Sequence, residues 1–191
     1  PPQPLESGQL TIARASGSAR FPARFQLVLA ANPCPCGNAG VPGSDCTCSA
    51  MARRRYLSRL SGPLLDRVDI QLRVRRVTAA QLRVGAGEQR TDSATARARV
   101  IAARERSATR LAGPPWRLNA HVAGSWLRTP AGAARPGATR ALDRALERGQ
   151  LTMRGYDRVL KVAWSIADLE GSDRPGAEEV GRALLLRRTG L

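Results

Sequence analysis

Four cysteines lie within fifteen positions, as Cys34-Pro35-Cys36 and, after nine further residues, Cys46-Thr47-Cys48. Residues i and i+2 of an extended backbone point the same way, and Pro33 and Pro35 favour that extension. Each pair can therefore aim two sulfurs at one point. Gly37, Gly40 and Gly43 let the loop between them double back. Four thiolates in tetrahedral range suit one structural Zn2+, with no position left for a reactive water. Two disulfides, in any of three pairings, or four free thiols are the alternatives. The sole histidine, His121, lies far along the chain and reads as a packing or capping residue.

Other chemistry is excluded by residue type. A phosphate-binding loop of the form GxxxxGK[ST] needs a Gly-Lys pair, and the only lysine, Lys161, follows Leu160. An apolar strand ending in Asp-Glu, the usual magnesium-holding partner of that loop, is also missing; Glu178-Glu179 follows Pro-Gly-Ala instead. The segment cannot hold and split a nucleotide alone by that route. Three polar residues nonetheless stand where phosphate chemistry could use them. Asn32 closes an apolar run, where an amide either orients a water or simply caps the strand end. Arg67 follows a short turn, from which a guanidinium can project or pair with Asp66 or Asp69. Arg154 lies in the first turn of a strong helix pattern, where the dipole gives a cation nothing, and Arg158 stands one turn on.

These residues need elements to place them. Gln9 to Ala13 and Phe25 to Ala31 read as strands joined by a turn around Ser16-Gly17-Ser18, and Arg14 and Arg20 flank the tip. The unbroken run Leu27 to Ala31 predicts a strand covered on both faces. Residues 33–49 form a Cys-rich loop. Ser49 caps a helix through Arg59, Pro63 starts a single turn, and Val68 to Val74 alternates as a half-buried strand does. Gly85-Ala86-Gly87 marks a linker over 79–91. Asp92 or Ser93 then caps a helix with Ala96, Val100, Ala103 and Ser107 on one face, ending before Gly113-Pro114-Pro115. Weaker helices follow near His121 to Leu127 and Ala138 to Glu147. Thr152 caps the clearest helix, whose stripe of Val159, Val162, Ala163, Ile166 and Leu169 stops at Gly171. A last helix runs from near Pro175 to about Arg188. The expected fold class is α/β followed by all-α: residues 1–78 a β-containing part, 79–91 a linker, 92–191 a helical domain. Trp116, Trp126 and Trp164 look too scattered to stack bases.

The 191 residues carry 31 basic and 15 acidic side chains, a net charge of +16. Nearly all the basic residues are arginine, as a GC-rich genome favours; the excess itself fits either a polyanion partner or a solvated surface. No apolar run reaches the length of a membrane span, and the start lacks the features of a signal peptide, so a cytoplasmic location is expected.

Three segments resemble the magnesium-chelatase-like AAA+ ATPases, within them the ComM/YifB branch. They are Pro4-Leu5-Glu6-Ser7-Gly8 through Phe21-Pro22-Ala23-Arg24-Phe25, Ala31-Asn32-Pro33-Cys34-Pro35-Cys36-Gly37, and Ser61-Gly62-Pro63-Leu64-Leu65-Asp66-Arg67-Val68-Asp69. Leu151-Thr152-Met153-Arg154-Gly155-Tyr156-Asp157-Arg158-Val159-Leu160 and Ile166-Ala167-Asp168-Leu169 resemble that branch's C-terminal helical domain. The resemblance implies that the chain is the C-terminal part of a longer protein, with the Walker A and Walker B segments ahead of Pro1. It makes residues 1–78 the end of an AAA+ core and 92–191 its helical lid. It makes Asn32 the sensor-1 residue, Arg67 an arginine finger acting on the neighbouring subunit, and Arg154 the sensor-2 residue, with Arg158 its rival. The hairpin carrying Arg14 and Arg20 would face a central channel and its DNA.

The implied protein is a hexameric, ATP- and Mg2+-dependent helicase for DNA branch migration in natural transformation, of which this segment alone is inactive. Two other readings remain: a free-standing, zinc-stabilised basic module that binds nucleic acid without any ATPase role, and a chelatase that inserts magnesium into a porphyrin.

Overall fold

The computed structural model describes residues 4–41, 43–60, 62–74, 76, 77, 81, 83 and 91–188. Nearly all of the expected linker at 79–91, Gly85-Ala86-Gly87 included, lies outside them. The chain divides into two units, Pro1–Val68 and Asp69–Gly190.

The first unit opens with a one-turn helix, α1 (Pro4–Ser7), and an antiparallel hairpin, β1 (Gln9–Arg14) and β2 (Gly17–Pro22). Gln9 pairs with Pro22 and Arg14 with Gly17, so Ala15 and Ser16 make the turn. Gly17 has φ 141°, a conformation that a side chain disfavours. The Ala23 N–H donates to the Gly8 carbonyl at 2.8 Å and closes the base of the ribbon. Side chains alternate, so Leu10, Ile12, Arg14, Ala19 and Phe21 share one face and Thr11, Ala13, Ser18 and Arg20 the other. Arg14 and Arg20 thus flank the tip from opposite faces.

Two expected strands do not form. Phe25–Ala31 and Val68–Val74 have no regular secondary structure, and the only sheet among the described residues is the two-stranded hairpin. Val28 is 81% and Val74 91% exposed. A strand exists only through a partner's backbone groups, and no described segment supplies that ladder. Ser49 does cap α2 (Ala50–Leu57), its hydroxyl accepting from the Ala52 N–H, but the helix stops short of Arg59. Gly62–Leu65 forms the single turn α3.

The second unit is helical: α4 (Ser93–Arg110), 3-10 turns at Asn119–His121 and Trp126–Arg128, α5 (Arg140–Glu147), α6 (Met153–Glu170) and α7 (Ala177–Arg188). Asp92 caps α4 by accepting from Thr95, which holds its carboxyl below the usual range. Of the α4 stripe, Ala103 and Ser107 are buried, whereas Ala96 and Val100 are exposed. The segment expected to be helical near His121 to Leu127 makes only the two 3-10 turns, and His121 is exposed.

Central to this unit is α6. Thr152 accepts from the Gly155 N–H, and Gly171 ends the helix at φ 76°. Val159, Val162, Ala163 and Ile166 are buried as the stripe requires; Leu169, at the end, is 41% exposed. Leu142 of α5 and Val180, Ala183 and Leu184 of α7 complete the core. The three tryptophans, distant in sequence, line up here. Trp116 and Trp126 have centroids 6.2 Å apart, Trp126 and Trp164 6.4 Å. The buried Trp164 indole donates to the Gly132 carbonyl at 2.9 Å. A Cβ on Gly132 would sit 2.2 Å from the Trp126 carbonyl oxygen, so only glycine fits that approach.

One buried ion pair ties α4 to α6. Arg110 donates to both carboxylate oxygens of Asp168, with Nη2 to Oδ2 at 2.9 Å, and its guanidinium lies 3.9 Å from the Trp164 ring centroid. Asn119 donates to the same carboxylate at 2.8 Å, and Asp168 is only 2% exposed. Asp168→Ala would strand a largely buried guanidinium. Urea unfolding followed by tryptophan fluorescence should show a loss of about 3–5 kcal/mol; a loss below about 1 kcal/mol, the range of surface pairs, would contradict this role.

Candidate metal centre and nucleotide-site residues

The first cysteine pair is not extended, although Pro33 and Pro35 suggested it: residues 34–37 already form a turn, the first of three consecutive turns that reverse the chain. Their bonds run from Gly37 N–H to the Cys34 carbonyl, Val41 to Asn38 and Ser44 to Val41. Gly37, Gly40 and Gly43 have φ of 81°, 70° and 72°, so each of the three expected reversal points uses glycine's left-handed freedom. The Asn38 side-chain amide donates to the Asp45 carbonyl and closes the loop's neck.

The result brings all four sulfurs within 4.8 Å of one another. Cys34 and Cys36 Sγ are 3.3 Å apart, and Cys46 Sγ is 3.7 Å from each. Four sulfurs about 2.3 Å from one Zn2+ would be separated by about 3.8 Å in a regular tetrahedron. The spacing therefore fits a single metal ion with little adjustment. It is far from the roughly 2 Å of a disulfide, and all four cysteines are unbridged.

The loop backbone also favours thiolates. The Ala39 N–H donates to Cys34 Sγ at 3.3 Å. The Asn38 backbone N–H and the Cys34 and Cys48 thiols together pull Cys36 down to about 6. Burial raises Cys34, but the Ala39 N–H and further bonds outweigh it and leave it lowered. At Cys48 a backbone bond from Cys36 lowers the thiol. Hydrogen bonding to the Cys36 sulfur, burial and the Cys34 charge outweigh that bond and push Cys48 up to about 11. Four sulfurs this close cannot all ionise unless a cation joins them.

The nucleotide-site candidates are placed as follows. Asn32 is exposed at the entrance of the cysteine loop, with a Cβ on Gly37 falling 3.9 Å from its amide. Arg67 is half-buried just after α3, and its Nη1 donates to the Pro63 carbonyl at 2.6 Å. That bond turns the guanidinium back along its own turn. In the second unit Arg154 is exposed on the first turn of α6. Arg158 is ion-paired with Asp69, and the Gln71 N–H donates to the Leu186 carbonyl at 2.7 Å. Residues 69–71 are thus fastened to α6 and α7. Sequence reasoning placed Asp69 beside Arg67; the structure gives it to Arg158, a partner 89 residues away that no local pattern reveals. Lys161, one turn beyond Arg158, has its ammonium lowered by burial and then by the Arg158 charge, and donates to the Ala120 carbonyl. Arg14 and Arg20 are exposed on the hairpin, Arg14 at the rim of a shallow hollow of about 420 Å³ with Ile12, Ala19 and Phe21.

No described helix is long and apolar enough to cross a membrane.

The family model for magnesium chelatase, subunit ChlI, matches residues 2–82, and that for the ChlI C-terminal region matches residues 90–187. An uncharacterized protein of Mycobacterium tuberculosis is 48% identical over 98% of this chain and 36% of its own length. Competence protein ComM of Haemophilus influenzae is 37% identical over 95% of this chain and 34% of its own. YifB of Salmonella typhimurium is 36% identical over 97% and 35%. The chain therefore spans about a third of the length of these relatives.

Purified under reducing, chelator-free conditions, the chain should contain one equivalent of metal by elemental analysis. Cys34→Ser or Cys46→Ser should each reduce occupancy below one half. Protons compete for the same thiolates, so occupancy should fall as the pH drops through about 6, where Cys36 is protonated. Less than half an equivalent at pH 7.5 would contradict a metal centre.

Proposed function

Because the chain belongs to the magnesium-chelatase ChlI family of AAA+-type ATPases, we propose that it is the sensor, arginine-finger and lid portion of an ATP-driven, ring-forming motor that works on DNA. The strongest support is the order of the parts. Asn32 and Arg67 fall within the first matched region and Arg154 within the second. A ComM relative aligns across almost the whole chain.

On this reading ATP and Mg2+ are bound mainly by a part of the full-length protein outside this segment. Asn32 orients the attacking water from the end of its apolar run. Arg154, at the open end of α6, reaches the nucleotide when the lid closes. Asp69 holds the Arg158 guanidinium, and Arg154 is the residue that the resemblance gives as the sensor. Arg67 leaves its Pro63 carbonyl and enters the adjacent subunit's site, where a guanidinium stabilises charge on the transferred phosphoryl group. Hydrolysis then moves the Arg14- and Arg20-bearing hairpin along DNA in a hexameric ring. Branch migration during transformation is the task that the ComM resemblance implies. The cysteine quartet takes Zn2+ rather than Mg2+, because thiolates suit the softer ion and Mg2+ prefers oxygen ligands. With its shell closed by four sulfurs, the Zn2+ braces the loop that follows Asn32.

In the full-length protein, Arg67→Ala should lower ATP turnover by about 10³-fold or more, with ATP affinity changed less than about threefold. Arg154→Ala should weaken both. Steady-state hydrolysis and nucleotide-binding titrations separate the two effects. Turnover retained in Arg67→Ala would remove the arginine-finger mechanism.

A further inference from the structure

Residues 46–65 contain Arg53, Arg54, Arg55 and Arg59 and not a single acid. Three of the four belong to α2 (Ala50–Leu57), and the fourth follows it by two positions. Ala52, Tyr56, Leu57 and the following Leu60 are half-buried, whereas all four arginines are exposed. At 100° per residue, Arg54 lies about 160° and Arg55 about 100° round the axis from Tyr56, and Arg53 about 60° from it, so the guanidiniums project around much of the helix. No ion pair engages any of the four among the described residues. Such density of one sign, without interspersed acids, raises the cost of the folded state through self-repulsion, and a polyanion relieves it.

Placement adds a second point. Helix α2 begins two residues after Cys48, with Ser49 as its N-cap, so the turn-rich cysteine loop fixes where it starts. The exposed arginines are therefore presented on and just after a short, capped helix instead of a loose tail.

We propose that α2 is a docking face for the phosphodiester backbone of nucleic acid, in addition to the hairpin arginines. It does not depend on the motor reading, because attraction between guanidinium and phosphate needs no ATP. A membrane surface fits less well. An interfacial helix turns an exposed apolar face with Trp, Phe or Leu toward the lipid, and Ala52, Tyr56 and Leu57 of α2 are already half-buried.

The test measures binding of a fluorescein-labelled 30-base-pair DNA to the 191-residue chain by anisotropy across a salt series. The R53A/R54A/R55A/R59A variant should lower the slope of log affinity against log salt by about 3–4. At about 0.1 M salt its affinity should fall on the order of a hundredfold. A charge-matched variant, R97A/R99A/R104A/R148A, removes four exposed arginines of the second unit and should change the slope by less than about 1. The four-lysine variant R53K/R54K/R55K/R59K should keep most of the slope, which separates lost charge from lost fold. Equal losses in the two alanine variants, or an unchanged R53A/R54A/R55A/R59A, would overturn the proposal. So would binding of that face to phosphatidylserine vesicles with DNA affinity intact.

Discussion

The pairing of Arg110 with Asp168 holds the second unit in register. Burying two charges costs several kcal/mol per ion unless their remaining hydrogen-bonding capacity is met. Here Asp168 receives two bonds from Arg110 and one from Asn119, Arg106 donates to its carbonyl, and Trp164 lies against the guanidinium face. The pair fixes α4 and the Asn119–His121 turn against the C-terminal half of α6. The opposite end of that helix carries Arg154 and Arg158, whose positions along the axis are therefore set by a contact about three to four turns away.

How far the sequence could be read depended on the range of the interactions involved. Helix α6 was legible because its signals are local: a threonine cap, a stripe at helical spacing, a glycine stop. The three left-handed glycines of the cysteine loop were legible for the same reason. Phe25–Ala31 and Val68–Val74 have strand-like patterns, yet form no strand, because pairing is supplied by other segments and not by the pattern. The tryptophan row and the Asp69–Arg158 pair were invisible for a related reason. Each joins positions tens of residues apart, and nothing in their neighbourhoods marks the partner.

The chemistry of the site was legible by type and not by role. Four cysteines in two Cys-x-Cys pairs left a zinc centre, disulfides or free thiols open on spacing alone, and their sulfurs do converge. Asn32, Arg67 and Arg154 are common residues in unremarkable settings, and spacing alone does not separate a phosphate contact from a strand cap or a surface pair. The roles proposed for them rest on the family resemblance. The hairpin shows the opposite case: its strand period of two puts Arg14 and Arg20 on different faces, which their shared closeness to the tip concealed.

A subunit-mixing assay probes the shared-site claim most directly. Full-length Arg67→Ala protein is combined with full-length protein whose own ATP-binding loop is disabled, and hydrolysis is followed as the ratio varies. Neither protein alone should turn over ATP, and the mixture should recover activity that peaks at intermediate ratios, because each supplies what its neighbour lacks. A mixture as inactive as its components, or an Arg67→Ala protein active by itself, would contradict an arginine acting across the subunit boundary.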